Sequence, residues 1–193
     1  MSVVDGASGA SVVPSGRWSI DAPRSSVAFT MKHMMLATVN GRFREFDGVL
    51  ETGSGAPRAA GVVKAASIDT NESIRDEHLR SSPDFFDVER YPEIRFDSTQ
   101  IEYVEGGRLH IVGDLTMRGV TREIALDARL GGMTHEAGGD ERVELELRGE
   151  LNRRDFGLTW NQALDTGGAL LGNKVKIALE ISAVKSEVAR SAV

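Results

Sequence analysis

The side chains able to do chemistry in this chain are few and scattered. His33, His78, His110 and His135 lie far apart in sequence, and none sits in an HExxH or similar ligand spacing. That disfavours a metal site. Thioethers suit Cu(I), so the run "MKHMM" at 31–35 invites a soft-metal reading, but methionines lining an apolar wall are the plainer one. Cysteine is absent, which excludes disulfides, thiolate ligands and a cysteine nucleophile. No GxSxG, P-loop or GxGxxG motif occurs. Asp69, Asp76, Glu77, Asp84 and Asp87 crowd the middle of the chain and read as solvated faces or caps, not as an acid–base pair.

Two residues break an otherwise regular pattern. Along "VAFTMKHMM" the odd positions Val27, Phe29, Met31, His33 and Met35 share one face of a strand, so a histidine joins an apolar row. A buried histidine can stay neutral, and a core histidine with a hydrogen-bond partner is the bland reading of His33. In "VELELRGELNR" the apolar row is Val143, Leu145, Leu147, Gly149 and Leu151, and its next member is Arg153. If the strand extends that far, an arginine points inward. Arginine keeps its charge, so Arg153 needs a carboxylate, a set of carbonyls, water or an anionic ligand.

The elements that must position these residues are strands. Period-two alternation recurs in "RWSID", "SVAFTMKH", "GRFREFDGVLE", "GVVKAASI", "EIRFDS", "RLHIVGDLTM", "REIALDARL", "RVELELRGELNR" and "KVKIALEIS". The links at 105–107, 118–121 and 134–141 have hairpin length and turn chemistry. About eight antiparallel strands with one apolar face each must close on themselves or stack on a partner. One segment, 71–92, breaks the alternation. Ile74 and His78 are spaced as on a helix, and Ser82-Pro83 reads as an N-cap and first helical residue, so two short helices are expected near 71–91. Phe85 and Phe86 would pack onto the sheet or over a barrel mouth.

Composition fits one globular domain over 17–185, with a lead-in at 1–16 and a frayed end at 186–193. The net charge of −6 disfavours nucleic acid or an anionic membrane surface as a general partner. No stretch approaches the roughly 20 apolar residues of a membrane helix. The first residues lack the basic start and apolar run of a secretory signal, so a cytoplasmic location is expected.

Taken in order, "WSIDAPRSSVAFTMKHMM", "VNGRFREFDGVLE", "RDEHLRSSPDFFDVERYPEIRFDS", "GDLTMRGVTREIAL", "LNRRDFGL" and "LGNKVKIALEIS" resemble the YceI-like family of polyisoprenoid-binding proteins. The central block carries most of the resemblance, through His78-Leu79, Phe85-Phe86-Asp87 and Tyr91-Pro92. The resemblance implies an all-β fold: an antiparallel, eight-stranded, lipocalin-like β-barrel around an apolar tunnel. It implies a bound isoprenoid lipid, such as a polyprenyl phosphate or a quinone tail, no obligatory cofactor, and a homodimer as a possible assembly. His33 and Arg153 would then be polar points on the lumen wall that meet the ligand's head. Phe29, Met31, Met35, Phe43, Phe46, Phe85, Phe86, Phe156 and Trp160 would form its apolar lining. Phe43 and Phe46 can both face inward only if a bulge or bend separates them. Two competitors stay open: an enzyme using His33 as acid or base on a hydrophobic substrate, and an interaction module whose barrel is filled by its own side chains.

Overall fold

The computed structural model describes residues 13–34, 36–135, 138–165 and 169–186. Met35, most of the lead-in and the last seven residues lie outside them. The strands are β1 (Gly16–Ile20), β2 (Ser26–His33), β3 (Ala37–Phe43), β4 (Phe46–Thr52), β5 (Arg58–Lys64), β6 (Ile68–Asp69), β7 (Glu93–Val104), β8 (Arg108–Met117), β9 (Val120–His135), β10 (Glu141–Asn152) and β11 (Leu171–Ser186). A single α-helix, α1 (Ser73–Ser81), lies between β6 and β7.

The strands form one antiparallel sheet. It runs β1-β4-β5-β7-β8-β9-β10-β11 and closes through a β1–β11 pairing. One edge of β11 takes β10 along its length. The other edge is shared, with β1 on residues 183–186 and β2 from Leu171 to Glu180. Thus β1 and β2 are two halves of one strand, interrupted by the 3-10 turn Ala22–Arg24. β4 and β3 are likewise two halves of its neighbour. The result is a closed, eight-stranded antiparallel barrel, which removes every free edge of the main wall.

The break between β3 and β4 falls at Arg44–Glu45. It is the bend that lets Phe43 and Phe46 both face the interior. The break between β1 and β2 is stapled from outside. Arg142, 6% exposed, donates to Asp21 Oδ2 at 2.8 Å and to Ser182 Oγ at 2.8 Å. Ser182 Oγ donates in turn to Glu144 Oε1, and Ser25 Oγ accepts from the Ser182 amide. These polar groups occupy the outer parity of β10 and β11, where alternation requires residues that are not lining the core.

Two apolar clusters mark the barrel's ends. At one, Trp18, Leu109, Val143 and Ala183 are fully packed. At the other, Phe85, Leu115, Met117, Phe156 and Leu158 pack beneath the segments around α1 and the 3-10 turn Arg153–Phe156.

The expected second helix is not formed. Ser82 closes α1 as its C-cap, with extended backbone and its amide bonded to the His78 carbonyl. Pro83 to Phe86 make turns, because Ser82 Oγ takes the Asp84 amide and ends the helical register. The helix starts at Glu72, whose carboxylate accepts the amides of Ile74 and Arg75. His135 is the last residue of β9, not part of the loop that follows.

Arg142→Ala is expected to destabilise the fold by about 1–3 kcal/mol, since it strands the buried Ser182 hydroxyl and the half-buried Asp21 carboxylate. Lys174→Ala, which removes an exposed pair with Glu150, should change stability by less than about 0.5 kcal/mol. Denaturant unfolding of both variants checks the contrast.

Candidate functional site

The inward rows of the barrel do not meet. They enclose a cavity of about 480 Å³, within the range of small-molecule sites. The two walls behave differently. Leu109, Ile111, Leu126, Leu145 and Leu147, on β8 to β10, are buried. Val27, Phe29, Met31, Leu50 and Ile177 face inward on the opposite wall, yet are only half-buried. Inward-facing apolar side chains keep that much exposed area only when they border a hollow. The barrel is therefore not plugged by its own side chains.

At the α1 end, His33, Trp160 and Leu170 are half-buried and His78 is exposed, and all four line the cavity. The lumen meets solvent there. Aromatic contacts frame this end. Phe29, Phe43 and Phe86 form a string with ring centroids 5.7 and 5.8 Å apart. His78, Phe85 and Trp160 form a second, at 5.2 and 5.6 Å. Such tilted and edge-on pairs add about 0.5–1.5 kcal/mol each beyond area burial.

The sequence-expected lining residues Phe29, Met31, Phe43, Phe46, Phe85, Phe86 and Trp160 border the cavity. Phe156 does not. It is 1% exposed and packs with Phe85, Leu115, Met117 and Leu158, because it ends the 3-10 turn instead of continuing a strand. His33 borders the cavity at the last position of β2 and has no hydrogen-bond partner among the described residues. It is thus not the internally satisfied core histidine of the bland reading. His110 and His135 instead pair with Asp127 and Glu141 outside the lumen.

Arg153 is the unusual group. β10 stops at Asn152, and Arg153 opens the 3-10 turn, so its inward direction comes from the turn and not from strand parity. It is 4% exposed and borders the cavity. Nε donates to the Gly172 carbonyl at 2.9 Å, and Nη1 donates to the carbonyls of Leu158 and Trp160. Nη2 is buried and has no partner among the described residues. Among the described residues no carboxylate pairs with the guanidinium, and burial pushes its pKa down from the ordinary arginine value. The charge nonetheless persists. Arg153 therefore pins Leu158, Trp160 and Gly172 at the barrel end, with one donor left without a partner among the described residues.

Sequence reading missed several contributors. Val49, Leu50, Ala60 and Val62 line the cavity from β4 and β5, where "AAGVV" shows little alternation. Leu170 and Leu171 enter from a stretch without strand pattern. Arg118 is a clamp that no local signal announces. From a left-handed turn position it donates to the carbonyls of Gly157 (2.7 Å) and Pro83 (2.6 Å), tying both end segments to the β8–β9 hairpin.

A YceI-like domain model matches residues 18–183. The chain belongs to the YceI-like family. It is 32% identical over 163 residues to a UPF0312 protein of Staphylococcus aureus strain N315, covering 82% of this chain and 92% of that one. It is similar in structure to the YceI protein of Campylobacter jejuni, with a TM-score of 0.69, 27% identity, and 81% and 90% of the two chains covered. A polyisoprenoid binding domain from Saccharophagus degradans, implicated in plant cell wall breakdown, shares the fold at a TM-score of 0.65 and 16% identity, with 88% and 98% covered. Among the described residues of this YceI-like chain, no helix is long and apolar enough to cross a membrane.

Two predictions come from this geometry. A Cβ on Gly41 would lie 2.2 Å from the Phe29 ring, whose outer end covers the glycine. In Gly41→Ala the ring must swing toward the lumen. Stability should fall by only about 1 kcal/mol, while binding of an apolar fluorescent probe weakens; undiminished probe binding would show that Phe29 does not bound the lumen. Asp69 anchors the approach to α1 by accepting from the Asn71 amide and from Arg42 and Arg44, which hold its pKa down at about 2. Its contribution is present above its usual value near 3.8 and is lost as pH falls toward 2. The stability gap between wild type and Asp69→Asn should shrink over that interval; thermal unfolding at a series of pH values checks it.

Proposed function

We propose that this YceI-like barrel binds the apolar chain of an isoprenoid lipid in its lumen and holds an anionic head, such as a prenyl phosphate, at Arg153. The observation that carries this reading is a hollow, almost wholly apolar bore bordered by a buried guanidinium, Arg153, one of whose donors has no partner among the described residues. The relationship to a polyisoprenoid binding domain supports the same class of ligand.

The two parts of such a ligand would be bound by different physics. Chain burial is worth about 0.8 kcal/mol per CH₂, so ten carbons contribute roughly 8 kcal/mol before ordering costs. No catalytic group is needed for that affinity. Methionine and the tilted phenylalanines let the wall adapt to a kinked chain. Head-group selection falls to the polar rim. Carbonyls orient Arg153 but do not cancel its charge, so an anion gains a charge-assisted bond that a neutral head does not. His33, half-buried at the rim with no side-chain hydrogen-bond partner among the described residues, supplies a second polar contact.

The reading is of a binding protein and not an enzyme. A general acid or base needs a second reactive group within hydrogen-bond reach. The strand partners of His33 are Leu171 and Ala37, neither of which can act as an acid or base.

Arg153→Ala should weaken a long-chain prenyl phosphate by about tenfold or more, at roughly 1.5–3 kcal/mol for a hydrogen bond to a charged group, and a quinone of matching tail by much less. Titration of both ligands into both proteins tests this. Equal losses would remove the anion preference, because Arg153 would then act only by holding Leu158, Trp160 and Gly172. Arg153→Lys separates the roles: it keeps the charge but loses the fork of donors, so part of the phosphate preference should return.

A further inference from the structure

A lipid held in a closed bore must be collected from somewhere, and one edge of the open end differs chemically from the rest of the molecule. The turn between β2 and β3 presents Met34 at 51% and Leu36 at 89% exposure. Met34 adopts φ of 51°, a left-handed conformation usual for glycine or asparagine, so a position suited to a small residue carries a long apolar one. The Met34 amide is bonded to the Leu170 carbonyl, which fixes the turn against the cavity rim. The preceding residue is His33, which lines the lumen.

Charge sets this edge apart as well. From Ala22 to Arg44 the sequence holds no Asp or Glu, although the chain carries a net charge of −6. Arg42 and Arg44 are paired with Asp69, well down the strand from the turn. At the turn itself the cation is Lys32, exposed, whose Nζ donates to the Thr38 hydroxyl at 3.0 Å and meets no carboxylate among the described residues. The far end of the barrel offers a contrast. Tyr103 and Val104 are exposed there too, but Glu102 and Glu105 flank them. An apolar tip bordered by a cation suits an anionic lipid surface, and an apolar pair bordered by acids does not.

We propose that the β2–β3 turn is a membrane-docking tip: Met34 and Leu36 enter the interface of an anionic bilayer, Lys32 engages its head groups, and the lumen is held facing the lipid. The inference rests on the lumen reading for its purpose, but its physical basis, apolar tip plus unopposed cation, is separate. A second copy of the chain seated on the same residues is the competing occupant.

The test is co-sedimentation of the full chain with vesicles of phosphatidylcholine, with and without phosphatidylglycerol. Binding should require the anionic lipid and weaken with added salt. Leu36→Ser should reduce it about tenfold and Lys32→Gln about fivefold, while Val104→Ser at the far end leaves it unchanged. Wild type that ignores anionic vesicles, or loses binding equally through Val104→Ser, overturns the proposal. So does a dimer that Leu36→Ser converts to monomer without any vesicle association. Mass spectrometry of the same samples separates the two ideas. Lipid uptake without vesicle binding refutes the docking tip and spares the lumen reading. Tip-dependent vesicle binding by a chain that never loads lipid supports the tip and refutes the lumen reading.

Discussion

The structure depends on the closure of one sheet around a space that its own side chains do not fill. A wall of strands with one apolar face has no stable open form in water. Closure removes the edges and turns all those faces toward each other. In this chain closure runs through β11, whose shared edge receives β1 and β2 in succession. The interruption this requires would expose unpaired backbone. The Asp21–Arg142–Ser182 network on the outer surface holds it in place, with the Asp21 amide bonded to the Ser182 carbonyl.

A hollow costs the dispersion contacts that packing would provide. Two packed clusters at the ends and the tight wall of β8 to β10 offset that cost, leaving the opposite wall loosely bounded. The division accounts for where function sits. Rigid packing around Trp18 closes one end, while the other is assembled from non-strand pieces held by Arg118 and Arg153 through main-chain carbonyls. Both arginines do structural work there, and only Arg153 has charge to spare toward the lumen.

The barrel was legible in the sequence because alternation is a direct record of which face is wet. "SVAFTMKH" and "RVELELRGELNR" coincide with strand boundaries to within a residue or so. His33 could be placed from parity alone. Phe156 could not: its expected place in the lining has no support from strand parity, and the 3-10 turn that follows Asn152 carries its ring into the end cluster. Ser82-Pro83 carries an N-cap signature, but the preceding helix had already claimed Ser82 as its terminus. The segment "GVVKAASI" marks part of β5 as a strand but does not single out its lining residues, because Ala and Gly leave no hydropathy contrast. The hollow itself is invisible to sequence, since a filled barrel and an open one share the same pattern and differ only in how far the facing rows approach.

The account stands on the lumen being a lipid site, and native mass spectrometry of freshly purified protein asks this most directly. The account predicts a non-covalent adduct that leaves on unfolding, carries an acidic head, and differs between bound species by whole isoprene units. Protein that shows only its polypeptide mass, and stays at that mass after incubation with prenyl phosphates and quinones, would contradict it.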